Sequence, residues 1–318
     1  MTRDDAFTAR NRLRIPILIL LATVNYWLAI VAAAVATTLT ITIALLAEGG
    51  DIPTSGDGLK ILGFLIAAVV VLSIVVGTFV ALFRLPFQRR RLERQVLAET
   101  QARIATPDDH PQVRNLLDGL AIAAGTPVPR FAVIDDPAPN SFSVGTRPAK
   151  TIVAVTTGLA AALTRDELEA ILAYEVSRIG SWDVALASWT VALTGGAIAA
   201  SDSGDDEGSL RAVLGWLPRL FAQWIQTWAL RDQAQGRDRA AISFTRHPAA
   251  LIRALEKLDA DQSQVSRVSR ATAPLWVEFP TRLAGESRAG RRLARELGLS
   301  ARIEPLRELA ALKAPATD

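Results

Sequence analysis

The chain has 318 residues, of which 50% are hydrophobic and 21% charged, with a net charge of +3. It contains no cysteine, which excludes disulfides, thiolate metal sites and a cysteine nucleophile. The net charge is too small to argue for nucleic acid, and the basic residues gather beside apolar segments, a membrane pattern.

Ile15 to Ala47 carries no charged residue, and Ile61 to Phe83 is again uncharged. Each exceeds the ~20 apolar residues that cross a bilayer. The first is too long for the core of a cleaved signal peptide, the alternative reading, and Pro16 suits a first helical turn. Arg3, Arg10, Arg12 and Arg14 precede the first run, and Arg84, Arg89, Arg90, Arg91 and Arg94 follow the second. The loop between them holds Glu48, Asp51 and Asp57 against a single Lys60. Positive charge on both flanks predicts a transmembrane hairpin over residues 1–95, with spans at about 15–47 and 61–83, the loop outside and the body cytoplasmic.

Residues Leu92 to Ala105 then read as a polar connector helix, and Val113 to Ala124 as a short amphipathic helix ending at Gly125. Three strand-like runs follow, Phe131 to Ile134, Ser141 to Val144 and Thr151 to Val155. Pro137, Pro139, Asn140, Gly145 and Pro148 supply the breaks between them.

The stretch Leu163 to Asp183 carries the most information. Thr164 with Glu167 three residues on is a capping box, so a helix starts there. Leu168, Ile171, Leu172 and Ile179 recur at helical spacing and define a buried stripe. Glu175 falls in the middle of that stripe and Arg178 at its edge, with Tyr174 beside Arg178. A carboxylate on a core-facing stripe is costly unless it is paired or coordinates something. Glu175 and Arg178 are three apart, so their side chains can meet. Either the guanidinium neutralises Glu175 with Tyr174 closing the pocket, or Arg178 snorkels to solvent.

Beyond Asp183, the run Val184 to Ala200 is apolar, SDSGDDEGS (Ser201 to Ser209) is an acidic insert, and a helix with one broad apolar face follows from Leu210 to Trp228. The segment 184–230 reads as a second membrane hairpin or as a core helix plus an interfacial one. From Ala271 the chain reads as helical and basic.

The string LTRDELEAILAYEVSRIGSWD resembles the active-site helix of the HtpX-type membrane-bound zinc metalloproteases, relatives of the CAAX prenyl proteases. In that family two histidines one helical turn apart bind zinc and the intervening glutamate is the general base. Here Glu175 is kept, while the histidine positions hold Tyr174 and Arg178. The later string RDQAQGRDRAAISF aligns with the family's third-ligand helix through Asp238 and Arg239, which puts Ala234 at the ligand position. The resemblance implies a mainly helical α+β, zincin-like (gluzincin) domain with a small sheet over residues 96–318. It also implies supporting roles for Asp183 and Asp238 beside the cleft. Asn140, Ser141 and Phe142 match the string on the family's cleft-side strand, where an extended peptide can add to an exposed edge; the alternative is a small structural sheet.

With all three ligand positions replaced, no cofactor is expected in place of the family's zinc. His110 and His247, the only histidines, are isolated in sequence and read as surface or capping residues. The reading that follows is a bacterial inner-membrane, multi-pass pseudoprotease that binds or regulates unfolded or membrane polypeptides, with no nucleic-acid role. The alternatives are an active zinc metalloendopeptidase with unconventional ligands, working in membrane-protein quality control, and a purely structural membrane module.

Overall fold

The computed structural model describes residues 3–47, 56–199, 210–230, 248–261, 263–269, 271–278 and 298–313. Ala234, Asp238, His247 and the acidic insert lie outside them.

Two helices of 45 residues, α1 (Arg3–Ala47) and α2 (Gly56–Thr100), open the chain. At 1.5 Å per residue each runs about 67 Å, more than twice a bilayer's hydrocarbon thickness. The two expected spans fall inside them. Pro16 sits within α1 rather than at its start, because the helix begins at Arg3. The helices lie side by side. Trp27 Nε1–H donates to Thr78 Oγ1 at 3.1 Å, and a Cβ on Gly77 would come within 2.7 Å of Trp27 Cδ1. The glycine is what lets the Trp27 indole lie against the backbone of α2 there. Among the described residues, Asp5–Val35 is long and apolar enough to cross a membrane, and α2 contributes the shorter apolar stretch Ala67–Phe79. No separate connector helix forms after the second apolar run. Instead α2 continues unbroken to Thr100, and a two-residue strand, β1 (Arg103–Ile104), follows it.

The three predicted strands are β2 (Arg130–Ile134), β3 (Ser141–Val144) and β4 (Ile152–Thr156). They join β1 in one sheet of order β1-β2-β4-β3, with β2 and β4 parallel and the outer two strands antiparallel to their neighbours. Helix α3 (Pro111–Ala123) lies between β1 and β2 and is closed by Gly125, whose φ of 61° is the left-handed turn a glycine accepts at no steric cost. His110, the residue before this helix, occupies its N-cap.

Both sheet faces are covered, and strand alternation sorts the side chains between them. Phe131, Val133, Val153 and Val155 meet α3, α5 (Arg165–Gly180), α8 (Pro248–Ala260) and α9 (Ser300–Lys313) on one side. Ala132, Ile134, Phe142, Val144, Ile152 and Ala154 meet the end of α2, α6 (Asp183–Ala199) and the residues around Trp276 on the other. A short helix α4 (Thr157–Ala162) links β4 to α5. The predicted capping box is present at the start of α5, with Thr164 N–H donating to Glu167 Oε2 at 2.9 Å. The same carboxylate accepts from Lys257 of α8 at 2.6 Å, which ties the helix start to the neighbouring layer.

Helices α6 and α7 (Leu210–Leu230) pack together and run beside α1, where Leu18 and Ala22 meet Leu186, Leu193, Ile225 and Ala229. The turn between α5 and α6 is held from α1 as well. Asn11 Nδ2–H donates to the Ser181 carbonyl at 3.0 Å, and the Arg12 guanidinium lies 4.9 Å over the Trp182 ring. Trp182 takes a φ of 61°, a left-handed conformation that costs a bulky residue energy. That reversal is what brings Asp183 back toward the helix just ended.

Residues 271–278 are not α-helical as expected, and residues 279–297 lie outside the described ones. A 3-10 turn at Ala273–Leu275 leads into extended backbone at Trp276. Pro274 sits inside that turn, and the residues beyond it find partners on the sheet edge rather than within a helix.

Candidate functional site

Helix α5 lies across the sheet with its apolar stripe inward, so Glu175 and Arg178 are carried into the interior; both are 0% exposed. Four groups converge on them. Ser141 and Ser143 are two apart on β3 and therefore share its α5-facing side. Ser141 Oγ–H donates to Glu175 Oε1 at 3.0 Å, and Ser143 Oγ–H to Oε2 at 2.6 Å. Arg178 Nη1–H donates to Glu175 Oε2 at 3.0 Å and also to the Leu275 carbonyl at 3.0 Å. Arg178 Nε–H donates to Asp183 Oδ2 at 2.8 Å. The Tyr174 ring, 1% exposed, closes the group, with the Arg178 guanidinium 5.9 Å and that of Arg302 4.7 Å from its centre.

Burial by itself would lower the pKa of Arg178, but the carboxyl groups of Glu175 and Asp183 outweigh it and hold it above the ordinary value. The guanidinium therefore stays charged and bridges two buried carboxyl groups. Its remaining nitrogen, Nη2, has no hydrogen-bond partner among the described residues.

The edge of β3 belongs to the same site. Asn140 is 4% exposed, and Ser141 and Phe142 are fully buried. The Phe142 ring meets that of Trp276 in a tilted contact at 57°, centroids 4.8 Å apart, and Asn140 bonds to the backbone of Glu278 in both directions. Burial, with Asp261 and Asp259 nearby, pushes the Glu278 carboxyl up to about 8. Its ordinary value is about 4.5, so between these pH values the folded chain holds a proton that the unfolded chain has released. Stability from this residue accordingly falls as pH rises from 4.5 to 8. Glu278→Gln is expected to match the parent's Tm near pH 4.5 and to exceed it by several degrees at pH 8.5, read by thermal unfolding in detergent.

The sequence profile of Peptidase family M48 matches residues 107–286, more than half the chain, and takes in strands β2 to β4 and α5. This chain belongs to the M48 family. Its similar proteins include the Protease HtpX homolog of Streptococcus mutans, 31% identical over 240 residues, covering 67% of this chain and 78% of that one. The Protease HtpX homolog of Dictyoglomus turgidum is 29% identical over 224 residues, covering 66% and 74%. That of Limosilactobacillus fermentum is 27% identical over 269 residues and reaches 78% of this chain and 90% of its own. The M48 member described here is thus of the HtpX type, a mainly helical α+β protein with a small mixed sheet and an N-terminal helix able to cross a membrane.

The resemblance to M48 metalloproteases implies zinc, and the residues at this site do not fit it. Arginine offers no lone pair at physiological pH, and a zinc ion needs at least three N, O or S ligands. The Arg178 guanidinium stands beside Glu175, where a second cation would be repelled. Among the described residues there is no cluster of three His, Cys, Asp or Glu side chains that could hold a metal.

Of the residues singled out from sequence, Tyr174, Glu175, Arg178, Asp183, Asn140, Ser141 and Phe142 meet around one buried centre. Ser143, Leu275, Trp276 and Arg302 were not singled out. The alternating SFSV run held the signal for Ser143, because it places two hydroxyls on one strand face. No local pattern marked the other three.

Proposed function

We propose that this chain is a membrane-anchored, non-hydrolytic HtpX-type protein that binds polypeptide at the cleft its relatives use for cleavage. The observation that carries the reading is the charged Arg178 side chain bonded to both Glu175 and Asp183. In this role Glu175 is no longer a base that activates water. It is an acceptor of three hydrogen bonds, two of which fasten α5 to β3 while the third comes from Arg178 on α5 itself. Asp183 neutralises the far side of the guanidinium, and Asn140, Ser141 and Phe142 line the peptide-binding edge. Ala234 and Asp238 are assigned from the alignment alone, as the lost ligand and a supporting acid. The partner class is unfolded or membrane polypeptide.

The anchor is a hairpin of α1 and α2 with its basic ends in the cytoplasm, which places the body on the cytoplasmic side of the plasma membrane. Large apolar side chains left bare along α2, Phe64, Val71, Leu72, Val75, Phe79 and Phe83 among them, support contact with lipid. The α6–α7 pair forms a second membrane hairpin in this scheme, supported by its packing along the apolar stretch of α1. A second reading, a purely structural membrane module, draws on the full burial of Tyr174 and Arg178.

Metal analysis of the detergent-solubilised protein, with casein hydrolysis by the parent and by Glu175→Gln, tests the proposal. No bound metal and no cleavage by either protein is the expected result. Near-stoichiometric zinc with cleavage that depends on Glu175 would overturn it in favour of an active metalloendopeptidase.

A further inference from the structure

Strand β3 is the outermost strand of the sheet, bonded on its inner side to β4 through Ser141 to Val144. Its outer side is not bare. Val277 N–H donates to the Ser141 carbonyl at 2.9 Å, and Phe142 and Trp276 face each other as an antiparallel bridge. The Asn140 side chain reads the next residue like a peptide group. Its Nδ2–H donates to the Glu278 carbonyl at 3.1 Å, and its Oδ1 accepts from Glu278 N–H at 3.2 Å. The Val277 carbonyl accepts from Arg302 Nη1–H at 3.0 Å, and the Leu275 carbonyl from Arg178. Leu275, Trp276 and Val277 are all 3% exposed or less. Main-chain bonds along an edge combined with side-chain pockets are how a sheet binds an extended peptide by strand addition.

We propose that residues 275–278 are an internal strand ligand filling the peptide-binding edge of β3, and that an extended polypeptide with an aromatic residue flanked by apolar ones binds there by displacing them. This rests on the reading of the cleft as a polypeptide site. Arg178 couples the two halves of the device: the guanidinium that bridges Glu175 and Asp183 also holds the Leu275 carbonyl. A tethered segment competes at an effective concentration on the order of millimolar. A free peptide at micromolar concentration therefore loses to it until the tethered copy is weakened. Trp276 is the anchor whose loss weakens it most, since the ring carries the contact with Phe142.

The test uses the full chain in detergent and a fluorescein-labelled peptide of sequence TAPLWVEFP, which copies residues 272–280, read by fluorescence anisotropy. Trp276→Ala is expected to bind it at least tenfold more tightly than the parent, a scrambled peptide is expected not to bind, and adding Phe142→Ala is expected to abolish the gain. Equal binding by parent and variant, or no binding by a folded variant, would overturn the proposal. Hydrogen exchange on the parent gives a second readout that needs no variant. The Val277 amide is expected to be protected and to lose protection when unlabelled peptide is in large excess, whereas exchange at a free-chain rate would refute the internal ligand. Zinc and casein cleavage bear only on the non-hydrolytic reading, so the two ideas fail separately.

Discussion

Arg178→Ala is expected to lower stability by roughly 3–5 kcal/mol, a fall in Tm on the order of 10 °C, measured by circular dichroism in detergent. The guanidinium is fully buried and donates at 2.8 Å to Asp183 and at 3.0 Å to Glu175 and to the Leu275 carbonyl. Removing it leaves two buried carboxyl groups and a backbone carbonyl without that donor. The loss is then dominated by the desolvation of charge that the guanidinium no longer offsets, not by the worth of the pair itself. Two companion variants separate these causes. Arg178→Lys retains charge but cannot span both carboxyl groups with a planar fork, so it should fall between the parent and alanine. Neutralising all three members together, as Glu175→Gln, Arg178→Met and Asp183→Asn, should cost less than Arg178→Ala alone. An unchanged Tm in Arg178→Ala would remove the argument that the guanidinium holds this centre together.

Gly158→Ala is expected to be comparably damaging, for a steric reason. A Cβ at residue 158 would overlap the carbonyl group of Pro137 and come within 3.0 Å of the Ala138 carbonyl carbon. These are backbone atoms, so no rotamer change relieves the clash. Gly158 N–H donates to the Asp136 carbonyl at 2.9 Å, and the turn it supports runs directly into Asn140. Thr156 holds that residue in place, its Oγ1 accepting from Asn140 N–H at 2.9 Å and donating to the Asn140 carbonyl at 3.0 Å. Pushing the turn outward would shift β3 and with it the hydroxyls on Glu175. The expected result is a loss of several kcal/mol, of the overpacking kind, with faster hydrogen exchange across residues 136–144. Unchanged exchange there would show that the turn yields without disturbing the strand.

The site was partly legible because its central demand is local. A glutamate in the middle of an apolar helical stripe needs a partner, and an arginine three residues on is within reach. The same local logic located α3, α5 and the three strands β2 to β4 to within a residue or two. It failed at Ala271–Glu278, where helix was expected. Apart from Pro274 the run ATAPLWVE carries no strong local break, but its backbone groups are satisfied by residues far away in the chain.

By itself, then, the sequence determined the family, the helical α+β character and the buried carboxyl group awaiting a partner, all of which reside in short periodic patterns. Only the tertiary structure decided what surrounds that group. The contacts of Glu175 with Ser141 and Ser143 span 34 and 32 residues, that of Arg178 with Leu275 spans 97, and that of Asn140 with Glu278 spans 138. No periodicity encodes pairings at such separations. They exist because the sheet order leaves β3 at the edge under α5, where any backbone brought alongside must bond to it or leave buried polar groups unpaired.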